Sequence, residues 1–147
     1  MAIARPIDRR LFFIFDRAHP RLSKEASNHL AQSSAISPSQ AAVLIYLGYH
    51  DRCRLTDLAD GTGRNNAAIT GLVTRMEAED LVERITLTSD RRAKAVALTD
   101  AGWALREQVM NDFRDFNDRL VKGLSESEIT AVLKFLTLAP ENVAQTT

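Results

Sequence analysis

A single cysteine, Cys53, excludes an intramolecular disulfide and a zinc site built from cysteines. The three histidines, His19, His29 and His50, are scattered and have no carboxylate or cysteine at ligand spacing, so neither a metal nor another cofactor is expected. No apolar run is long enough to span a bilayer. The cluster from Leu11 to Phe15 is far too short, and nothing resembles a secretory leader, which reads as a cytoplasmic protein without a membrane partner. No serine or cysteine sits in a nucleophile motif and no glycine-rich phosphate loop is present, so an enzyme is not expected. Charge of one sign is lacking too: 19 basic residues face 19 acidic ones. That balance excludes a protein that coats nucleic acid by bulk charge, but not a DNA binder whose positive charge is local.

What is present is an ordinary globular composition, 45% hydrophobic and 26% charged over 147 residues, enough for one domain with a real core. Leu11, Phe15, Ala18, Leu22, Ala26 and Leu30 recur at steps of three or four and predict a helix over about 8–32, kinked or broken at Pro20. Ser37-Pro38-Ser39-Gln40 offers a capping serine, a proline at the first helical position and a glutamine in the third, opening a second helix. Leu55, Leu58 and Ala59 predict a short helix that Gly61-Thr62-Gly63 breaks. A further helix over about 65–79 turns Ile69, Leu72, Val73 and Met76 inward. Two short helices around a glycine-bearing turn are the helix-turn-helix pattern.

After Asp80 the period falls to two. Leu81 to Thr86 alternates like a half-buried strand, Ala95 to Leu98 can pair with it, and Thr88 to Arg92 between them is turn-prone. A helix-turn-helix followed at once by a hairpin is a winged helix. Thr99 can cap a long helix over about 100–123, whose stripe is Leu105, Val109, Phe113, Phe116, Leu120 and Leu124. Ser125-Glu126-Ser127-Glu128 is a second capping box, and it opens a last helix that Pro140 should end. The expected fold is mainly α with a small β-wing: a DNA-binding lobe over about 37–99, with dimerisation helices over about 8–32 and 100–139.

The stretch from Leu58 to Gly102 resembles the MarR family of winged helix-turn-helix transcription regulators. Leu58-Ala59 leads the motif, and Ile69 to Glu77 matches the recognition-helix pattern. Leu81-Val82-Glu83-Arg84 matches the first wing strand; Asp90-Arg91-Arg92-Ala93-Lys94 with Leu98-Thr99 and Gly102 matches the wing signature. The resemblance implies a homodimer on double-stranded DNA, commonly a repressor. In many members a small aromatic or phenolic effector, bound between the DNA lobe and the dimer helices, releases the DNA. Phe12, Phe15, His19, Tyr46 and Trp103 are the candidates for such a pocket, though residues of these types are more often simple core.

Arg84, Arg91, Arg92 and Lys94 against Asp90 give the wing a local balance of plus three in a neutral chain, suited to a narrow minor groove. The outward face of the recognition helix is nearly bare: Ala67, Gly71 and Thr74. Either a smooth face lets the helix sit deep in the major groove, or sequence preference is weak or lost. Arg64, Asn65, Asn66, Thr70 and Arg75 surround that face. Asparagine and threonine can contact bases, although Asn65 reads first as a helix cap, and Arg75 serves a phosphate or braces the lobe. The amphipathic terminal helices carry Phe12, Phe13, Phe15, Phe113, Phe116 and Phe135, aromatic surface that a two-fold pairing would bury. The rival reading is a winged-helix protein-interaction module that no longer binds DNA. Cys53, in a short loop between Arg52 and Arg54, could have a lowered pKa, but a structural or idle thiol is expected.

Overall fold

The computed structural model describes residues 10–87 and 90–144. Six helices and three strands follow in the order α1 (Leu11–Ser33), α2 (Pro38–Tyr49), β1 (Cys53–Arg54), α3 (Leu55–Gly61), α4 (Asn66–Ala78), β2 (Val82–Leu87), β3 (Asp90–Leu98), α5 (Asp100–Leu120) and α6 (Glu126–Ala144). This is the mainly helical chain with a small β-wing that the sequence patterning implies. Two compact units divide it, Met1–Asp112 and Phe113–Thr147.

The core of the first unit is apolar throughout. Leu30 of α1, Val43, Leu44 and Leu47 of α2, and Leu58 of α3 are fully buried. So are Ile69, Val73 and Met76 of α4, Val96 of β3 and Val109 of α5. The α2 start is a complete capping box: Ser37 Oγ accepts from the Gln40 amide at 3.2 Å, and Gln40 Oε1 accepts from the Ser37 amide at 3.0 Å. Gln40 then uses its remaining donors on Glu79 at 3.0 Å, which ties the start of α2 to the end of α4.

Several boundaries differ from the sequence expectation. The start expected near Asp8 lies outside the described residues, and α1 runs unbroken through Pro20 to Ser33. Both Pro20 and Asp16 are exposed, so water can satisfy the carbonyl that the proline leaves without a donor. Pro140 likewise sits inside α6, which continues to Ala144, while α5 stops at Leu120. The strand β3 begins at Asp90, not Ala95; Leu87 pairs with Asp90 across an irregularity after Thr86. Cys53, expected in a loop, begins β1, which pairs antiparallel with β3 so that Cys53 faces Val96 and β3 becomes the central strand.

The wing is clamped at its root. Asp80 takes a positive φ of 58°, and the Leu81 amide donates to the Met76 carbonyl at 2.9 Å, which closes α4. Thr99 meets that turn from the other strand. Its amide donates to the Leu81 carbonyl at 3.2 Å and its hydroxyl to the Asp80 carbonyl, while Thr99 Oγ1 accepts from the Gly102 amide at 3.0 Å.

Candidate nucleic-acid interface

The helix α4 has two unlike faces because its apolar residues fall at helical spacing. Ile69, Leu72, Val73 and Met76 are buried, whereas Ala67, Ala68, Thr70, Thr74 and Arg75 are exposed and Gly71 is half-exposed. Asn65 is the N-cap: its Oδ1 accepts from the Ala68 amide at 2.8 Å. Asn66 beside it is exposed. The two threonines turn their hydroxyl protons back onto the helix, Thr70 to the Asn66 carbonyl at 2.7 Å and Thr74 to the Thr70 carbonyl at 2.9 Å. Thr74 Oγ1 also accepts from Arg84, so the acceptor capacity presented outward is chiefly that of Thr70, which suits the amino groups of adenine or cytosine.

A shallow cleft of about 340 Å³ opens beside this face, between Ser37, Ser39, Arg64, Ala67, Gly71 and Arg75. Gly71 lines it beside open space, where an added Cβ would meet nothing nearer than Arg75 Nη1 at 3.9 Å. The cations around it differ in commitment. Arg64 spends its guanidinium internally, on the Thr62 carbonyl and on Ser39 Oγ, both at 2.9 Å. Arg84 is likewise engaged, with Glu77 and Thr74. Among the described residues no hydrogen bond or ion pair holds the side chains of Arg75 and Lys94, and both are exposed. The side chains of Arg91 and Arg92 lie outside the described residues. Glu77 carried no role in the sequence reading; its seven-residue separation from Arg84 crosses from helix to strand, where no periodicity signals a pair.

The five pocket candidates fall into three groups. Phe12 and Phe15 are exposed on α1, and Phe15 stacks on His19 with ring centroids 5.9 Å apart. Tyr46 stacks on His50 at 4.3 Å and lines a cleft of about 430 Å³ with Ala42, Ile45, Tyr49 and Thr62. Its phenol is held above its usual value by desolvation, then by Cys53, Asp57 and Asp60. Trp103 instead lies against Arg106, whose guanidinium carbon sits 5.0 Å from the Tyr49 ring centroid and 5.6 Å from that of Trp103. The thiol of Cys53 is pushed up by burial, then by Asp57, against the lowering expected of Arg52 and Arg54. Arg52 is mostly exposed and turned towards Asp51 at 3.9 Å, too solvated to counter the burial.

Among known proteins, the MarR family model matches residues 36–94, the span from the α2 cap through most of the wing. The transcriptional repressor NicR of Pseudomonas putida is 28% identical over 137 residues, covering 89% of this chain and 87% of NicR. The structure of S. aureus MepR in complex with DNA superposes with a TM-score of 0.78 at 26% identity, covering 89% of this chain and 96% of that one. Bordetella bronchiseptica BpsR, whose DNA binding is regulated by 6-hydroxynicotinic acid, shares the fold with a TM-score of 0.76. The two are 24% identical, over 90% of this chain and 99% of BpsR.

Proposed function

We propose that this chain, whose residues 36–94 match the MarR family model, is a regulator of that family and controls transcription by binding duplex DNA as a homodimer. In this reading α4 enters the major groove and the wing meets the flanking minor groove. The carrying observation is the outward face of α4, exposed along its length beside a cleft that Gly71 lines. Alanine and glycine there let the helix backbone approach base edges closely, with Ala67 positioned for thymine methyl groups and Thr70 for an amino donor. Arg75, Arg91, Arg92 and Lys94 supply phosphate and groove charge; Asn66, Thr74 and the internally bonded Arg64, Asn65 and Arg84 shape the face. MepR in its complex with DNA supports the same docking.

We extend the reading to repression relieved by a small aromatic compound, supported by the named behaviour of NicR and BpsR. The test is selection from random duplexes by the purified protein at several salt concentrations. It should enrich a pseudo-palindrome whose half-sites lie about one helical turn apart. Titration with aromatic carboxylic acids should then release it. The bareness of the α4 face also favours a protein-interaction module, and failure to enrich any sequence at low salt would establish that alternative.

A further inference from the structure

Arg84 stands on β2 opposite Val96 of β3, at the level where the wing leaves the lobe. Its guanidinium reaches sideways onto α4. One Nη donates to Glu77 Oε2 and the other to Thr74 Oγ1 at 2.9 Å, while the Arg84 backbone amide donates to Glu77 Oε1 at 3.3 Å. Glu77 thus accepts from both the side chain and the backbone of one strand residue. Thr74 passes the connection along α4, through its own bond to the Thr70 carbonyl. A network of this kind fixes geometry because each member constrains the next.

We infer that Arg84 is a positioning residue: with Glu77 and Thr74 it locks the root of the wing to the outward face of α4, and so sets the angle between the two elements that meet DNA. This rests on the DNA-binding reading above. The guanidinium fork is what makes the lock, since it serves two acceptors on successive turns of one helix face. Its charge is neutralised by Glu77 and is not available for a phosphate. Although Arg84 is one of the wing's four cations, its effect on binding should then be on discrimination between sequences and not on salt dependence.

The test compares wild type with Glu77→Gln, Arg84→Ala and the double variant, on the selected site and on a random duplex, across a salt series. Glu77→Gln keeps an acceptor for the Arg84 amide and is close to isosteric, so it should fold even where Arg84→Ala does not. Each single variant should lose about tenfold in discrimination, the scale of one good base contact. The slope of log affinity against log salt should stay unchanged in Arg84→Ala, and the double variant should be no worse than the singles. Through-space electrostatics alone would give the opposite sign for Glu77→Gln, which removes a negative charge beside DNA and should then tighten binding to every sequence. That outcome, with a slope reduced by about one in Arg84→Ala, would mark Arg84 as a phosphate contact and overturn the inference. Intact discrimination in both single variants overturns it as well. Hydrogen exchange on the free protein judges the lock without DNA: wing amides near Thr86 and Lys94 should exchange faster in Glu77→Gln, and unchanged protection there overturns it. A wild type that selects no sequence retires the DNA-binding reading, and with it the role in discrimination, while the exchange result still decides whether the lock exists.

Discussion

An added methyl group at Gly102 would meet the carbonyl oxygen of Leu81 at 2.0 Å, and that oxygen already accepts from the Thr99 amide. The backbone cannot yield there without opening the root of the wing. Gly102→Ala should therefore cost about 1–3 kcal/mol, the range for overpacking a closed site. Gly71 is the contrasting case, with open space where its Cβ would be, and Gly71→Ala should gain about 1 kcal/mol from helix propensity alone. Urea unfolding of the two variants checks the pair, and a shift of the same sign in both would refute this account. Gly102 stood out in the sequence as part of the wing signature, but the sign of an alanine substitution was not legible. It depends on a carbonyl twenty-one positions away, brought there by the hairpin. Cys53 gives a similar lesson. Its neighbours Arg52 and Arg54 argue for a reactive thiolate, whereas pairing of β1 with β3 half-buries the thiol near Asp57 and raises its pKa. Cys53→Ser should bind DNA like wild type, with and without mild peroxide. A peroxide response that this substitution abolished would show that the thiol acts as a switch despite its surroundings.

Among the elements, caps and inner faces were the most legible. Ser37 with Gln40, Asn65, and Ser125 with Glu128 all form the bonds that their spacing announces, because a cap is decided within four residues. Strand ends and proline-bearing helices were not, since β1 exists only through its partner β3, and α1 and α6 continue where local chemistry argues for a stop. The α6 cap also carries a pH dependence. Glu128 accepts from the Ser125 amide at 2.8 Å and from its hydroxyl at 3.0 Å, which holds its carboxyl below the usual range. A carboxyl depressed in the folded state stabilises above its unfolded pKa, and that contribution disappears as the pH falls through the lowered value. Ser125→Ala should flatten the acid limb of a stability-versus-pH curve, and an unchanged limb would assign the effect elsewhere. For α4 the informative variant is Gly71→Arg, which the open space beside Gly71 accommodates within the chain. If the smooth face exists for close approach, the arginine should weaken specific binding. Arg91→Ala and Arg92→Ala should instead weaken all sequences alike, with the salt slope falling by about one for each phosphate that is no longer neutralised. Tighter specific binding by Gly71→Arg would mean that the groove-facing surface is missing a base-reading side chain.

At the scale of the whole molecule the unusual quantity is apolar surface. On α1, Leu11, Phe12 and Phe13 are 54%, 73% and 68% exposed, and on α6, Leu133 and Val143 are 61% and 74% exposed. No residue of α6 is buried, although Ile129, Val132, Leu133 and Leu136 keep helical spacing, and its second turn and those that follow present Val132, Phe135, Leu136 and Leu138 to solvent. A soluble monomer rarely leaves such stripes uncovered, and an electrically neutral chain has little net charge to keep copies apart. A two-fold pairing through such helices would bury apolar stripes of this kind and present two copies of α4 to successive turns of DNA. Sedimentation at micromolar concentration should accordingly give about twice 16.3 kDa. Leu133→Glu and Phe13→Glu should each shift the protein towards the monomer with helix content preserved, since neither side chain contributes to the core of its own chain. Affinity for a two-half-site duplex should fall in the same variants far more than affinity for a single half-site, because only the dimer engages both at once. A wild type that sediments as a monomer with intact helix content would sink the dimer, and the exposed stripes would then need a different partner.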